Sequence, residues 1–379
     1  MKITIAIDSL KGSLSSLEAG QAAAEGIRKV YADADICIRP LADGGEGTVE
    51  AITLGTNGKF RTVRVTGPLG NPTDCRYGIL KDGKTAVIEM AEAAGITLVG
   101  AHERNPLHTT TYGVGEVIRD AVESGCRRFV IGIGGSATND GGIGMLQALG
   151  FGVLDIEGKQ VPFGAKGLSE IAEITDGNVM PELSECTFRI ACDVTNPLCG
   201  PEGCSAVYGP QKGADQEMIA RMDRDLANFA ALAGEKYSMA DPKAPGAGAA
   251  GGLGFAFLTF LNSALESGVK IVLEETRLEE YVKDADYVIT GEGRLDSQTV
   301  MGKAPIGVAK AAKKYGKKVI AFSGCVTEDA VLCNQEGIDA FFPILRTVTS
   351  LEEAMRTEAA AKNLSGTSEQ VFRLIQSVN

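Results

Sequence analysis

The fold is predicted from residues 2–41, KITIAIDSLKGSLSSLEAGQAAAEGIRKVYADADICIRPL. Residues 2–8 are a short, largely β-branched and apolar run, which predicts a strand. Ser15 and Glu18 have the S-x-x-E spacing of a capping box, so a helix is expected to begin there. Residues 36–41 predict the next strand. A strand, a helix and a strand in this order predict a β-α-β unit with parallel strands.

The end of the chain repeats this alternation. Residues 287–290 and 317–322 are typical of strands, whereas residues 305–315 and 351–363 are typical of helices. The two ends of the chain therefore predict one Rossmann-like, flavodoxin-like α/β domain that is built around a parallel sheet.

The middle of the chain has a different pattern. Residues 60–96 alternate in short apolar segments with Gly-Pro turns, and residues 81–84 predict a hairpin turn. We interpret the middle as a second, mixed α/β domain that is inserted into the first. The predicted domains are residues 1–62 plus 285–379 and residues 63–284, with the active site in the cleft between them.

Composition excludes several classes of function. The 379 residues have a formal net charge of -12, and no basic stripe is visible, so neither nucleic acid nor an anionic membrane is an expected partner. No apolar segment is long enough to predict a membrane-spanning helix. The nine cysteines form no CxxC pair, which favours reduced thiols and a cytoplasmic location. Association into a homodimer is left open.

Four glycine-rich, polar segments lie where a strand is expected to give way to a helix, which is where open α/β sheets bind ligands. Residues 8–13 include Asp8 and Lys11, and the lysine could hold an anion. Residues 43–48 include Asp43 and Glu46 among three glycines. Carboxylates of this kind are suitable ligands for Mg²⁺, which needs only one or two of them beside a phosphate.

The third segment, residues 133–142, follows an apolar strand and precedes a predicted helix. Its glycines let backbone N–H groups converge, which predicts a phosphate-binding loop. The fourth segment, residues 290–299 with Lys303, mixes acidic, basic and hydroxyl groups that could hold a metal or an anion and accept a proton. A weaker fifth segment, residues 192–197, offers Asp193 and Asn196 to substrate hydroxyl groups.

Two motif matches lack the structural context that they need. Residues 78–85 fit the P-loop pattern, but the residues after them are typical of the returning strand of a hairpin. Residues 246–251 fit the dinucleotide pattern G-x-G-x-x-G, but no strand precedes them. The two histidines, His102 and His108, lie far along the chain from the glycine-rich segments, so carboxylates are expected to run the chemistry.

Glycine-rich loops, carboxylates and a few lysines or arginines are what phosphoryl transfer requires, so a kinase is the leading class. The sequence also resembles a known family. IAIDSLKGSLSS (5–16), LADGGEGT (41–48), IGIGGSATNDGG (131–142), CDVTNPLCG (192–200) and ITGEGRLDSQT (289–299), the last followed by VMGKAP, are similar to motifs of the bacterial glycerate kinase family. The resemblance covers essentially the full chain. It implies ATP as the phosphoryl donor, D-glycerate as the acceptor and 2-phosphoglycerate as the product.

The resemblance also implies roles for individual residues. The phosphates of ATP are expected on Gly134, Gly135, Ser136, Thr138 and Asn139, with Lys11 or Lys303 neutralising charge. Mg²⁺ is expected on Asp43, Glu46 or Glu292. Arg294, Ser297 and Asn196 are expected to bind glycerate. For the general base, Asp296 is favoured over Asp193 and Asp8, because its loop also contains Ser297 and Arg294.

Three other functions remain open from the sequence. The nearest is a kinase that acts on a related hydroxy acid or forms 3-phosphoglycerate. The others are a Rossmann-type oxidoreductase and a metabolite sensor without catalytic activity.

Overall fold

The structure is a computed structural model, and it describes residues 1–378. The strands of this range are β1 (Lys2–Ile7), β2 (Asp35–Ile38), β3 (Lys59–Thr66), β4 (Pro72–Ile79), β5 (Thr85–Glu89), β6 (Arg128–Gly132), β7 (Gly152–Leu154), β8 (Glu173–Thr175), β9 (Thr187–Ala191), β10 (Ser263–Glu266), β11 (Tyr287–Leu295), β12 (Lys318–Val326) and β13 (Ala340–Pro343).

The helices of the same range vary from one turn to six turns. They are α1 (Ser16–Arg28), α2 (Thr48–Gly55), α3 (Ala91–Ala94), α4 (Tyr112–Glu123), α5 (Ile143–Ala148), α6 (Cys204–Tyr208), α7 (Gln216–Lys236), α8 (Ala249–Phe260), α9 (Gly268–Glu275), α10 (Leu278–Lys283), α11 (Ala304–Lys313), α12 (Leu332–Gln335), α13 (Leu351–Ala354) and α14 (Thr357–Val378). Short 3₁₀ helices lie at Ile96–Leu98, Ala165–Glu170, Pro181–Glu185, Pro210–Lys212, Thr299–Met301 and Glu328–Val331. Within residues 1–378, every helix is too short or too polar to cross a bilayer.

The chain forms two compact units. Unit 1 contains Met1–Asp43, Glu50–Thr56 and the chain from Val269 onward, and unit 2 contains Gly44–Val49 and Asn57–Gly268. The main divisions therefore fall near residues 56 and 268, whereas the sequence analysis placed them near residues 62 and 284. The hypothesis of an active site in a cleft between two domains stays a prediction.

Unit 1 is built on a five-stranded sheet in the order β13-β12-β11-β1-β2. Every neighbouring pair in this sheet is parallel. Counted along the unit, the strand order is 2-1-3-4-5, which is the flavodoxin-like order. The predicted fold class is thus confirmed. The order reverses between β1 and β11, which makes the carboxyl ends of these two strands the topological switch point.

The local sequence explains the first β-α-β unit. Five consecutive residues of β1 are buried, as expected for a parallel strand that is covered on both faces. The predicted capping box is present: the Ser15 side chain accepts from the Glu18 N–H, and the Glu18 carboxylate accepts from the Ser15 N–H. This reciprocal bonding satisfies N–H groups that have no partner inside the helix, which fixes the start of α1.

Two sequence predictions for unit 1 were wrong in extent. The strand expected at residues 287–290 continues to Leu295 as β11, because its polar end pairs with β12, with Glu292 opposite Ser323. At Gly291 the two backbones approach closely, since a Cβ there would lie 1.9 Å from the Phe322 carbonyl oxygen. The helix expected at residues 351–363 is two helices, α13 and α14.

Unit 2 contains a six-stranded mixed sheet in the order β10-β9-β6-β5-β4-β3. The first four strands run parallel, and the β3-β4-β5 meander is antiparallel, as the predicted hairpin turn required. A two-stranded sheet, β7-β8, lies apart from it. In the core of unit 2, the ring of Phe188 contacts those of Phe129 and Phe257. The second predicted domain, a mixed α/β layer, is thus present.

Candidate active site

Unit 1 places several predicted residues at its switch point. Asp8 directly follows β1, and Glu292 and Arg294 lie on the carboxyl-terminal part of β11. Asp43 lies in the loop after β2, which is the neighbour of β1 on its other side. Open α/β sheets bind their ligands at this position. The topology therefore brings together residues that lie far apart in the sequence.

Asp8 is a buried carboxylate in an acidic environment. Only 4% of the residue is exposed, and its Oδ1 accepts from the Ser9 N–H at 2.7 Å. Burial, followed by the negative charge of Asp43, raises the pKa of Asp8 to about 7. Glu292 acts in the same direction, and Lys11 opposes it. A carboxyl group that titrates near neutral pH can accept a proton and release it again under physiological conditions.

Lys11 connects two of the predicted segments. Its Nζ lies 3.2 Å from Asp43 Oδ2, and more than half of its side chain is exposed. Burial of the other part lowers the pKa of Lys11, but Asp43, Asp8 and Glu292 outweigh this effect and raise the pKa above its ordinary value. Lys11 is therefore a firmly charged cation in contact with solvent.

Glu292 has two partners within unit 1. Its Oε1 accepts from the Thr299 hydroxyl at 2.7 Å, and its Oε2 lies 3.6 Å from Lys303 Nζ. Burial raises the pKa of Glu292, and the bonds to Thr299 and Lys303 oppose this rise. Thr299 is a residue that the sequence analysis did not single out, although it lies in the predicted fourth segment.

Asp296 lies just beyond β11 and is held by its neighbours. Arg294 Nε lies 3.1 Å from Asp296 Oδ2, and the Gln298 N–H donates to Oδ1 at 2.9 Å. Hydrogen bonds from the side chains of Ser297 and Thr327, together with one from the Ser297 N–H at 3.0 Å, lower the pKa of Asp329 to about 2. Arg294 and Asp296 therefore form an ion pair.

The donor set of unit 1 is compatible with Mg²⁺. Of the predicted ligands, Asp43 and Glu292 provide hard oxygen atoms, and their negative charges both raise the pKa of the neighbouring Asp8. A divalent cation would relieve this repulsion. Within residues 1–378, no three His, Cys, Asp or Glu side chains converge closely enough to form a complete metal site. Glu46, the remaining predicted ligand, is an exposed residue of unit 2.

In unit 2, the predicted phosphate loop follows β6. Gly134 and Gly135 are exposed, and Ser136 is 8% exposed. The loop is fixed from outside, because the Gly135 carbonyl accepts from the Ile96 N–H at 2.8 Å and the Ala137 N–H donates to the Ala94 carbonyl at 2.9 Å. Backbone hydrogen bonds on both sides of Ser136 therefore hold the exposed end of the loop.

Thr138 and Asn139, by contrast, are fully buried. Asn139 Nδ2 donates to Ser205 Oγ at 2.9 Å, which links the loop to α6. The next residue, Asp140, accepts from both the N–H and the hydroxyl of Thr111 at 2.9 Å. These side chains hold the loop from the interior. Of the predicted phosphate ligands in this loop, Gly134 and Gly135 are exposed and Ser136 is buried, with 8% of its surface exposed.

Lys212 is a residue that the sequence analysis missed. It ends a 3₁₀ helix and is 2% exposed, and its Nζ donates to Ser136 Oγ at 2.8 Å and to the Thr138 carbonyl at 2.6 Å. Burial lowers its pKa to about 8, although Cys204 and Asp140 oppose this change. Nothing in the local sequence distinguishes this lysine from a lysine in an exposed turn.

The segment Gly44–Val49 is held against the carboxyl ends of the parallel strands of unit 2. The Val49 N–H donates to Glu89 Oε1 at 2.8 Å at the end of β5. Burial raises the pKa of Glu89 to about 7. Gly44 has a φ of +92°, and a Cβ there would lie 2.6 Å from the Gly268 Cα. Glycine is therefore required at this position for both conformation and space.

The fifth predicted segment is held by contacts within unit 2. Asp193 Oδ1 accepts from the Gly268 N–H at 3.2 Å. The side chain of Asn196 donates to the Glu202 carbonyl at 2.8 Å and accepts from the Tyr208 hydroxyl at 2.7 Å. In the described structure, Asn196 thus organises its own loop.

Phosphoryl transfer requires charge neutralisation, a rigid phosphate-binding surface and an acceptor for one proton. Unit 1 by itself contains charged groups and a carboxyl group with a pKa near neutral, and unit 2 by itself contains a glycine-rich loop held by backbone hydrogen bonds. Kinases are the class of enzyme that this fold and these residues fit.

Comparison with known proteins agrees with this class and narrows it. The model of the glycerate kinase family matches residues 3–376. Glycerate 2-kinase of Escherichia coli (strain K12) is 49% identical over 356 residues, which are 94% of this chain and 93% of the relative. Glycerate kinase of Bacillus subtilis (strain 168) is 49% identical over 376 residues, 99% and 98% of the two chains.

A solved structure agrees as well. A crystal structure described as glycerate kinase 2 from Salmonella typhimurium LT2 superposes with a TM-score of 0.91 at 46% identity, and covers 100% of this chain and 98% of that one. The chain belongs to the glycerate kinase family, and the resemblance in the sequence motifs is thereby confirmed.

Proposed function

We propose that the protein is an ATP-dependent glycerate 2-kinase. It transfers the γ-phosphoryl group of Mg·ATP to the C2 hydroxyl of D-glycerate and gives 2-phospho-D-glycerate and ADP. The family match over residues 3–376 supports the reaction class, and the relative from Escherichia coli named glycerate 2-kinase supports the position of transfer. The observation that carries the chemistry is Asp8, a buried carboxylate at the switch point of the sheet.

Asp8 is the proposed general base. The C2 hydroxyl of glycerate gives its proton to the Asp8 carboxylate while its oxygen forms a bond to the γ-phosphorus. The bond between that phosphorus and the β–γ bridging oxygen breaks, and the electron pair leaves with ADP. A pKa of about 7 suits this role. Asp296 is bound to Arg294, and its predicted role as the base stays a prediction, as does that of Asp193.

Asp43 and Glu292 would hold Mg²⁺, with Glu46 as the further predicted ligand. When bound, Mg²⁺ neutralises the charge of the phosphates and orients them. Mg²⁺ needs few protein ligands because phosphate oxygens and water complete its coordination. Metal binding requires ionised carboxylates, and Lys303 opposes the rise in the pKa of Glu292 that burial causes.

The cations and the glycine loop have separate proposed roles. Lys11 and Lys303 neutralise phosphate charge, and Arg294 and Ser297 bind the carboxylate and hydroxyl groups of glycerate. In unit 2, Gly134, Gly135 and Ser136 contact phosphate oxygens through the exposed end of their loop. The predicted phosphate contacts of Thr138 and Asn139, and the substrate contact of Asn196, stay predictions. The cytoplasmic location and a homodimer also stay predictions.

Product analysis tests the proposed function. The purified protein is incubated with Mg·ATP and D-glycerate that carries ¹³C at C2, and the product is examined by ³¹P and ¹³C NMR. A ³¹P signal that is split by the single C2 proton over three bonds confirms the proposal. Phosphorus on the C3 oxygen would replace it with a 3-phosphoglycerate-forming kinase, and ATP binding without ADP formation would indicate a sensor.

A further inference from the structure

The buried ammonium group of Lys212 determines how the Ser136 hydroxyl can bond. An ammonium group has three donors and no acceptor, so in the 2.8 Å contact Ser136 Oγ must accept. The hydroxyl proton of Ser136 then points away from Lys212 and is available to another acceptor. Ser136 keeps 8% of its surface exposed and follows the exposed residues Gly134 and Gly135, so a ligand that binds on these glycines can supply this acceptor.

Lys212 also carries a charge that its direct partners do not neutralise. Both acceptors of its ammonium group are uncharged, namely the Ser136 hydroxyl and the Thr138 carbonyl. Burying a charge is costly unless the charge is paired, and burial here lowers the pKa of Lys212 to about 8. An anion at the exposed end of the loop would reduce this cost. Only the Ser136 hydroxyl group would lie between the anion and the Lys212 ammonium group, so the two charges would attract each other at short range.

The surrounding backbone keeps Lys212 in place. Gly213, which follows it, has a φ of +91°, and a Cβ there would lie 2.1 Å from the Arg104 carbonyl oxygen. The 3₁₀ helix therefore ends in a turn that only glycine fits without strain. The geometry of this turn and the backbone hydrogen bonds of the loop hold Lys212 beside Ser136.

We propose that Lys212 is a positioning residue that turns the Ser136 hydroxyl into a donor for a phosphate oxygen of ATP. The chain of contacts runs from the Lys212 ammonium group to Ser136 Oγ and from the Ser136 hydroxyl proton to the phosphate. Lys212 itself does not touch the nucleotide. The inference rests on the proposed function, which names ATP as the ligand and places Ser136 at a phosphate oxygen.

The first test measures the dissociation constant of Mg·ATP by isothermal titration calorimetry, which does not depend on turnover. Lys212→Met keeps the apolar stem of the side chain but removes the ammonium group, and Ser136→Ala removes the hydroxyl. We expect Lys212→Met to weaken binding by about tenfold or more and Ser136→Ala by about fivefold, as for the loss of charge-assisted hydrogen bonds. Lys159→Met, at an exposed lysine of unit 2, is the matched control and should leave binding unchanged.

The double variant distinguishes positioning from packing. If Lys212 acts through Ser136, Lys212→Met with Ser136→Ala should bind no more weakly than Lys212→Met alone. Independent, multiplying effects would overturn the proposal, as would binding by Lys212→Met within twofold of the unchanged protein. If Lys212→Met does not fold, unchanged Mg·ATP binding by Ser136→Ala overturns the proposal instead.

The pH dependence gives a readout that a purely structural lysine would not affect. Because the ammonium form is lost as the pH rises through about 8, Mg·ATP binding to the unchanged protein should weaken between about pH 7.5 and 9.5. In Lys212→Met this weakening should disappear, and its persistence there would contradict the proposal. Failure to form 2-phosphoglycerate in the NMR experiment would refute the proposed function but would leave these binding results interpretable.

Discussion

Replacing Asp8 with asparagine should stabilise the protein and abolish most of its activity. Asparagine has nearly the same shape, and its Oδ1 can still accept the Ser9 N–H that Asp8 now accepts at 2.7 Å. The substitution therefore removes a buried negative charge and changes little else. The charge is unfavourable for folding because burial and Asp43 raise the pKa of Asp8 from 3.8 to about 7.

The size of the effect follows from this pKa. At about 1.4 kcal/mol for each pKa unit, the ionised side chain costs the native state about 4 kcal/mol above neutral pH. Burying the asparagine amide offsets part of the gain, by about 1–3 kcal/mol. Near pH 8 we expect Asp8→Asn to increase the free energy of unfolding by about 2 kcal/mol, which is a rise in Tm of about 5 °C for a unit of this size.

The direction in which stability changes with pH follows from the number of protons that Asp8 binds in the native and in the unfolded state. Between 3.8 and about 7, Asp8 binds a proton in the native state but not in the unfolded state, so its contribution to the free energy of unfolding decreases as the pH rises. The stabilisation by Asp8→Asn should therefore be largest above about pH 7. It should disappear towards about pH 4, where the carboxyl group of the unchanged protein is protonated when folded.

Thermal unfolding followed by circular dichroism at several pH values measures this difference. Asp33→Asn, at an exposed position of unit 1, is the matched control and should change the free energy of unfolding by less than about 0.5 kcal/mol. The kcat of Asp8→Asn should fall by about 100-fold or more, as for the loss of a general base. A variant that is no more stable than Asp33→Asn near pH 8, or a stabilisation that persists near pH 4, would refute the reasoning.

Three further predictions concern residues near the two candidate sites. Asp296→Asn should lower kcat by less than about tenfold if Asp8 is the base, and a loss of about 100-fold or more in steady-state assays would return that role to Asp296. Lys11→Met should shift the acidic limb of the kcat/KM profile to higher pH, because Lys11 lowers the pKa of Asp8; an unshifted limb would separate Asp8 from catalysis. Gly44→Ala should lower Tm more than Gly47→Ala, because both glycines have positive φ but only Gly44 lacks space for a Cβ; equal shifts in calorimetry would contradict this.

The sequence was sufficient for elements whose signals are local. The capping box of Ser15 and Glu18 and the apolar run of β1 predicted the first β-α-β unit, because each depends on residues close together in the chain. The carboxyl end of β11 was missed for the opposite reason. Its residues are polar and contain glycines, and they form a strand only through pairing with β12, for example Glu292 with Ser323.

The same distinction applies to the candidate sites. Patterns identified the glycine loops and their carboxylates, since position after a strand is visible in the sequence. The pKa of Asp8 was not predictable, because it depends on burial and on Asp43 and Glu292, which the fold brings near it. Lys212 was not predictable either, since its contact with Ser136 requires the packing of unit 2.

Asp8 and Lys212 place opposite unfavourable charges in the two units. The ionised carboxylate of Asp8 costs stability above about pH 7, and the ammonium form of Lys212 costs stability below about pH 8. As the pH rises from about 8 towards 10.5, the native state loses the Lys212 proton before the unfolded state does, so this cost decreases and stability increases. Both costs are therefore present together between about pH 7 and 8. In this range Asp8 is ionised, as a proton acceptor must be, and Lys212 is charged, as a phosphate-orienting cation must be. Ligands that neutralise either charge should therefore stabilise the protein most in this range.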